Sequence, residues 1–213
     1  MSDCMEAPTA YVFGYGSLIQ ANSRLRNLKS TQPPVPVRVH GFRRGWITRG
    51  RDIGFSCTYL GIVPDRSATT NGVLLAYEPE EIPALDQRES EYRRVPVELG
   101  QIELLGDTTA IDLATAEVIT YQTLEPREAT EKFPLVQSYI DICLQGCLEV
   151  DRLLDTADAF ASEFLASTDS WSHHWVNDRV FPRSPFRQVP EAHQIDKLLQ
   201  HRSPAEFASI RIE

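Results

Sequence analysis

The run VFGYGSLI, Val12 to Ile19, sets two glycines around a tyrosine inside an otherwise apolar segment. A strand that only fills a core excludes such residues, because glycine packs nothing and costs backbone entropy. Gly14 and Gly16 therefore mark a bend where a ligand or another part of the chain comes close. A turn there can aim successive N–H groups at one anion or developing oxyanion, and Ser17 adds a hydroxyl. A tight turn or β-bulge with no ligand leaves the same local pattern. A phosphate loop does not, since the later glycine and the Lys-Ser/Thr pair are missing.

Around this bend the chain reads as strands first and helices late. Residues 10–13 predict a strand, and QANSRLRNL predicts a short helical turn capped by Asn22 or Ser23. After the proline-rich TQPPVPV, the alternation in VRVHGFRRGWITR fits one or two strands. SCTYLGIVP and GVLLAYEP read as a hairpin around a polar loop, Pro64 to Asn71. EEIPALDQRES fits a short helix, RRVPVEL and EVITYQTL fit strands, and PLVQSYIDICLQGCLEV and TADAFASEFLAS fit helices. From Trp171 an aromatic, basic, proline-bearing tail is expected to wrap over the core before a last helix near Glu191 to Gln200. Without regular βα alternation the expected class is α+β.

With 213 residues, 42% of them hydrophobic, the chain suits one globular domain. We place its core at about 10–168 and a C-terminal extension at 169–213. A net charge of −9 with scattered basic residues disfavours a nucleic-acid partner. No apolar stretch approaches the roughly 20 residues of a membrane span, and MSDCMEAPTA lacks the features of a signal peptide, so a cytoplasmic protein is expected. Cys4, Cys57, Cys143 and Cys147 contain no CxxC pair and read as reduced thiols. Cys143 and Cys147, four apart on one helix, are poorly disposed for a disulfide and read as small buried residues. Adjacent His173 and His174 point apart and read as ordinary tail residues rather than metal ligands.

The phase of the short helix puts Ile82, Leu85 and Glu89 on one face. A carboxylate turned inward either finds donors or has a raised pKa, and a raised pKa suits a group that takes a proton and returns it. An ion pair with Arg88, Arg93 or Arg94 explains the same placement without chemistry.

VFGYGSLI resembles the YGS(L/N) signature of the γ-glutamylcyclotransferase-like superfamily, which includes ChaC-type, AIG2-like and BtrG-like proteins. ALDQRESEYRRVPVEL is similar to the family's Leu-Asp, two residues, Glu, then a tyrosine and a basic residue before a strand. SYIDICLQGCLE resembles a family helix carrying a tyrosine ahead of a glycine. The matches span residues 11–149. They depart from relatives with glycine after the glutamate, where this chain has Ser90, and from the double glycine of ChaC-type enzymes.

The resemblance implies a small, strongly curved mixed β-barrel with peripheral helices. It implies a turn at Tyr15, Gly16, Ser17 and Leu18 that holds the substrate, Tyr139 in the same pocket, and Glu89 as acid/base. The implied reaction cyclises a γ-glutamyl amino acid, peptide or amine to 5-oxoproline and needs no metal or redox cofactor. Arg24, Arg43, Arg44 and Arg93 are candidates for a substrate carboxylate, because a guanidinium binds both oxygens. Two other readings stay open. Ser17 as a nucleophile lacks the GxSxG elbow and a histidine at a diagnostic spacing. A non-catalytic protein could keep the pocket only to bind a small molecule or a partner.

Overall fold

The computed structural model describes residues 10–50, 56–106, 113, 116–183 and 190–212; the expectations for Cys4 and the first nine residues, and for 184–189 of the tail, lie outside them. In chain order come β1 (Ala10–Gly14), a 3-10 turn at Ser17–Ile19, α1 (Ala21–Leu25), β2 (Val35–Arg49) and β3 (Thr58–Ala76). They are followed by α2 (Ile82–Arg88), β4 (Tyr92–Pro96), β5 (Ile102–Leu104), β6 (Glu117–Thr123), β7 (Leu135–Val136) and α3 (Gln137–Leu153). The remaining elements are α4 (Ala159–Ala166), β8 (Thr168–Asp169), β9 (Trp175–Asn177), α5 (Ala192–Arg202), α6 (Pro204–Ala208) and β10 (Arg211–Ile212).

The protein is α+β. Its main sheet is mixed and runs β4-β6-β1-β3-β2-β5, with β8 beside β2, while β10-β9-β7 form a second sheet. Every residue of β1 is buried, as its unbroken apolar run requires of a central strand covered on both faces. It lies antiparallel to β3 and parallel to β6. No backbone ladder joins β4 to β5 among the described residues. The curl is held instead by side chains: Tyr92 OH donates to Leu60 O at 2.8 Å, and Thr48 Oγ1 and Thr123 Oγ1 lie 2.7 Å apart.

The expected hairpin at 56–79 is replaced by one long strand. Thr58–Pro64 pairs with Phe42–Arg49 and Thr69–Leu74 with Val35–His40, so β2 is long enough to serve both apolar runs. Asp65–Ala68 face only Gly41 across the ladder and form a bulge. Asp65 Oδ1 accepts from Ser67 N and Oγ at 3.0 and 2.7 Å, so the polar signal is satisfied locally without reversing the chain. The cap of α1 also differs from expectation. Gln20, not Asn22 or Ser23, starts the helix, its side chain accepting from Ser23 N at 2.7 Å.

Helix α3 is buried along most of its length and presses on the bend. A side chain at Gly146 would collide with Gln20 N and Ile19 C, so glycine permits the approach. The tail fixes the other end of α3. Asp178, just beyond β9, accepts from Ser138 N at 2.8 Å, Ser138 Oγ at 2.7 Å and Arg183 N at 2.7 Å. Its carboxylate does for this helix what an N-cap would, in the favourable sense of the helix dipole. Arg179 bridges Asp141 on α3 to Asp196 on α5. Among the described residues no helix is long and apolar enough to cross a membrane.

Candidate active site

Where β1 ends, the chain turns sharply into the Ser17–Ile19 turn. Arg44 holds that bend from behind. Its fully buried guanidinium donates to Tyr15 O, Asn71 O and Oδ1, Phe164 O, Thr168 Oγ1 and Ser167 Oγ, at 2.7 to 3.1 Å, and lies 3.8 Å from the Phe164 ring centre. Burial pulls its pKa down to about 10, so it remains charged at neutral pH. Tyr15 is fixed at its other end too, its hydroxyl donating to Tyr121 O at 2.7 Å. Among the described residues no side chain caps the turn that begins at Gly16, so its leading N–H donors are left for whatever occupies the space beside them.

That space is a cavity of about 380 Å³. Tyr15, Gly16, Ser17, Leu18, Glu89 and Tyr139, the six residues singled out from the sequence, all line it. A Cβ at Gly16 would lie 3.3 Å from Tyr139 OH and 3.5 Å from Leu60 Cδ1, so the bare glycine keeps this end of the cavity open. Glu89 directly follows α2 as its C-cap, with Leu85 buried one turn earlier.

The Glu89 side chain is 15% exposed. Burial raises its pKa, and the Arg88 guanidinium beside it offsets part of that rise. Arg88 forms an ion pair with Glu89 and also donates to Ser17 Oγ at 3.3 Å. One guanidinium thus links the acid to the bend. The ion pair and the cavity coexist.

Tyrosines supply much of the remaining wall. Burial is the main cause that raises Tyr15, Tyr59, Tyr92, Tyr121 and Tyr139 above the ordinary tyrosine range, so their hydroxyls stay protonated. Tyr59 and Tyr139 meet edge to face at 4.7 Å. None of the five histidines lines the cavity, which leaves Ser17 without an imidazole base. Cys143 and Cys147 are buried on α3; burial pushes Cys143 up to about 12 and Cys147 well above its ordinary value, so neither is a ready nucleophile. Among the described residues no His, Cys, Asp and Glu side chains gather in a group of three fit for a metal ion.

None of the four arginines expected to meet a carboxylate reaches this cavity. Arg44 is consumed by the bend, Arg24 donates to Ile19 O, and Arg43 pairs with Asp65 and Asp169 on the surface. Arg93 is exposed on β4. Among the described residues, the arginines that line the cavity are Arg26, Arg49 and Arg88. Sequence offered Arg88 only as an ion-pair partner of Glu89. For Arg49 and Tyr59 it held no signal, because their place in the wall depends on how far β2 and β3 run before the sheet curls.

Comparison with known proteins bears on this geometry. A family model described as "Gamma-glutamyl cyclotransferase, AIG2-like" matches residues 12–138. A solved structure titled "Gamma-glutamyl cyclotransferase" superposes with a TM-score of 0.53 at 13% identity, covering 88% of this chain and 98% of its own. An uncharacterised protein from Homo sapiens does so with a TM-score of 0.53 at 13% identity, covering 89% and 97%. At that identity these two likenesses speak to fold. No curated protein matches the chain. The family match takes in the bend, α2, Glu89 and the start of α3: the chain belongs to the γ-glutamyl cyclotransferase, AIG2-like family.

Proposed function

We propose that the protein cyclises a γ-glutamyl compound to 5-oxoproline, with Glu89 as the group that moves the proton. The α-amino nitrogen attacks the γ-carbonyl carbon, forming the lactam C–N bond, and the amide C–N bond to the released amine breaks. Glu89 takes a proton from the attacking nitrogen and gives it to the leaving nitrogen, ending in its starting state. The N–H groups of the Gly16–Leu18 turn stabilise the developing oxyanion or hold the substrate carboxylate. The cavity favours the folded substrate shape in which nitrogen and carbonyl meet. Such a reaction needs no outside nucleophile.

The observation that carries this reading is the shared cavity: a carboxyl raised by burial and an uncapped main-chain turn face the same space. The Arg88–Glu89 pair favours a second reading, in which the acid is structural and the cavity only binds. A panel of γ-glutamyl dipeptides, γ-glutamylamines and glutathione, assayed for 5-oxoproline, separates the two. In the Glu89→Gln variant, turnover is expected to fall by about 10²- to 10⁴-fold, the usual contribution of a general acid–base group. Release at near the parental rate would remove Glu89 from the mechanism.

A further inference from the structure

Among the described residues that line the cavity, Arg49 is a cation to which the proposed reaction gives no role. It is the last residue of β2, beside Gly50, and both line the cavity. Its guanidinium carbon sits 4.5 Å from the Phe133 ring centre, an apolar partner that attracts the cation without supplying charge. Among the described residues its buried Nε has no hydrogen-bond partner. A buried donor on a charged group is costly to leave unmade. Among the described residues the other charged lining residues are engaged: Arg88 with Glu89 and Ser17, and Arg26 and Glu91 in contacts of their own. A planar guanidinium suits a carboxylate, which accepts two parallel N–H bonds.

Register says which carboxylate. Leu60, beside Gly16, pairs with Trp46, whereas Arg49 pairs with Thr58, two residues farther along β3. Two strand residues span about 7 Å. The part of the substrate that closes into the ring stays with the bend and Glu89, and the released amine extends beyond them. We infer that Arg49 binds a carboxylate on the released amine, so that the cavity selects γ-glutamyl amino acids or peptides over γ-glutamyl compounds of plain amines. This rests on the cyclisation reading for its substrate, but the binding claim is separately testable.

γ-Glutamylalanine and γ-glutamylethylamine differ only in that carboxylate. With the parent protein, kcat/KM for 5-oxoproline release is expected to be higher for γ-glutamylalanine. Arg49→Gln should cut that value by about 10- to 100-fold, mostly through KM, as for a lost charge-assisted hydrogen-bond pair. The same variant should change γ-glutamylethylamine less than about 3-fold, and Arg49→Lys should restore part of the loss. Equal losses on both substrates, or no loss on either, would overturn the assignment. Calorimetric binding of the same two compounds keeps the claims apart when nothing turns over. Carboxylate-dependent affinity that disappears in Arg49→Gln upholds Arg49 while cyclisation fails. Equal affinities for both compounds in the parent reject Arg49. A matching melting temperature for parent and variant shows that the fold is intact.

Discussion

Two opposed forces act on one carboxyl. Burial raises the Glu89 pKa and Arg88 lowers it, with burial the larger. As a proton acceptor Glu89 must be ionised, so activity is expected to rise with pH along an acid limb whose midpoint lies above the ordinary value of about 4.3. Removing the cation disfavours the anion further. Arg88→Gln should therefore move that limb to higher pH, a direction that a pH profile of kcat/KM reads directly; a limb that stays put or moves down would contradict the balance. Glu89 was legible in the sequence because the helical phase of Ile82 and Leu85 carries on to it. Arg49 was not, because TRGR contains nothing to distinguish it from the other scattered arginines. What sets it apart is the end of a 15-residue strand and the ring of Phe133, remote in sequence.

At the scale of elements, the tail organises the helix that supplies Tyr139. Asp178 is 2% exposed and satisfies three donors, two of them on Ser138, the residue before Tyr139. Asp178→Ala would remove those three hydrogen bonds from inside the protein. A loss of about 2–3 kcal/mol is expected, read from denaturant midpoints. Because Tyr139 packs against Gly16, substrate affinity should fall with it; a variant as stable as the parent would show that α3 needs no such clasp. The helices α3 and α4 were readable from apolar spacing. The strands β7, β8, β9 and β10 are two or three residues each, too short to show any period, and only pairing with distant partners makes them strands. The bulge in β3 was misread for a related reason. Proline, aspartate and serine signal a break in a strand, but the length of β2 decides whether the chain turns back or continues.

Among the described residues, side chains draw the sheet together across its curl where no ladder does so. Arg44 ties β2, β3, α4 and the bend into one cluster, while Tyr92 and Thr123 fasten the far half of the β2–β3 ribbon to β4 and β6. Removing both fasteners in a Tyr92→Phe, Thr123→Val variant should cost about 1–3 kcal/mol, since each net hydrogen bond contributes about 0.5–1.5 kcal/mol. Thermal melts of the single and double variants would test this, and an unchanged double variant would mean the curl is held elsewhere. The same burial reaches every tyrosine in the chain. All seven have raised pKa values, with desolvation the first cause in each case. An unfolded chain gives up these protons near pH 10, whereas the native protein retains them, so stability falls as pH rises past that point. Strong base should accordingly unmake the protein in a single event, with the ultraviolet absorbance of phenolate emerging together with the collapse of the circular dichroism. Phenolate appearing gradually in a still-native protein would show that solvent reaches those rings.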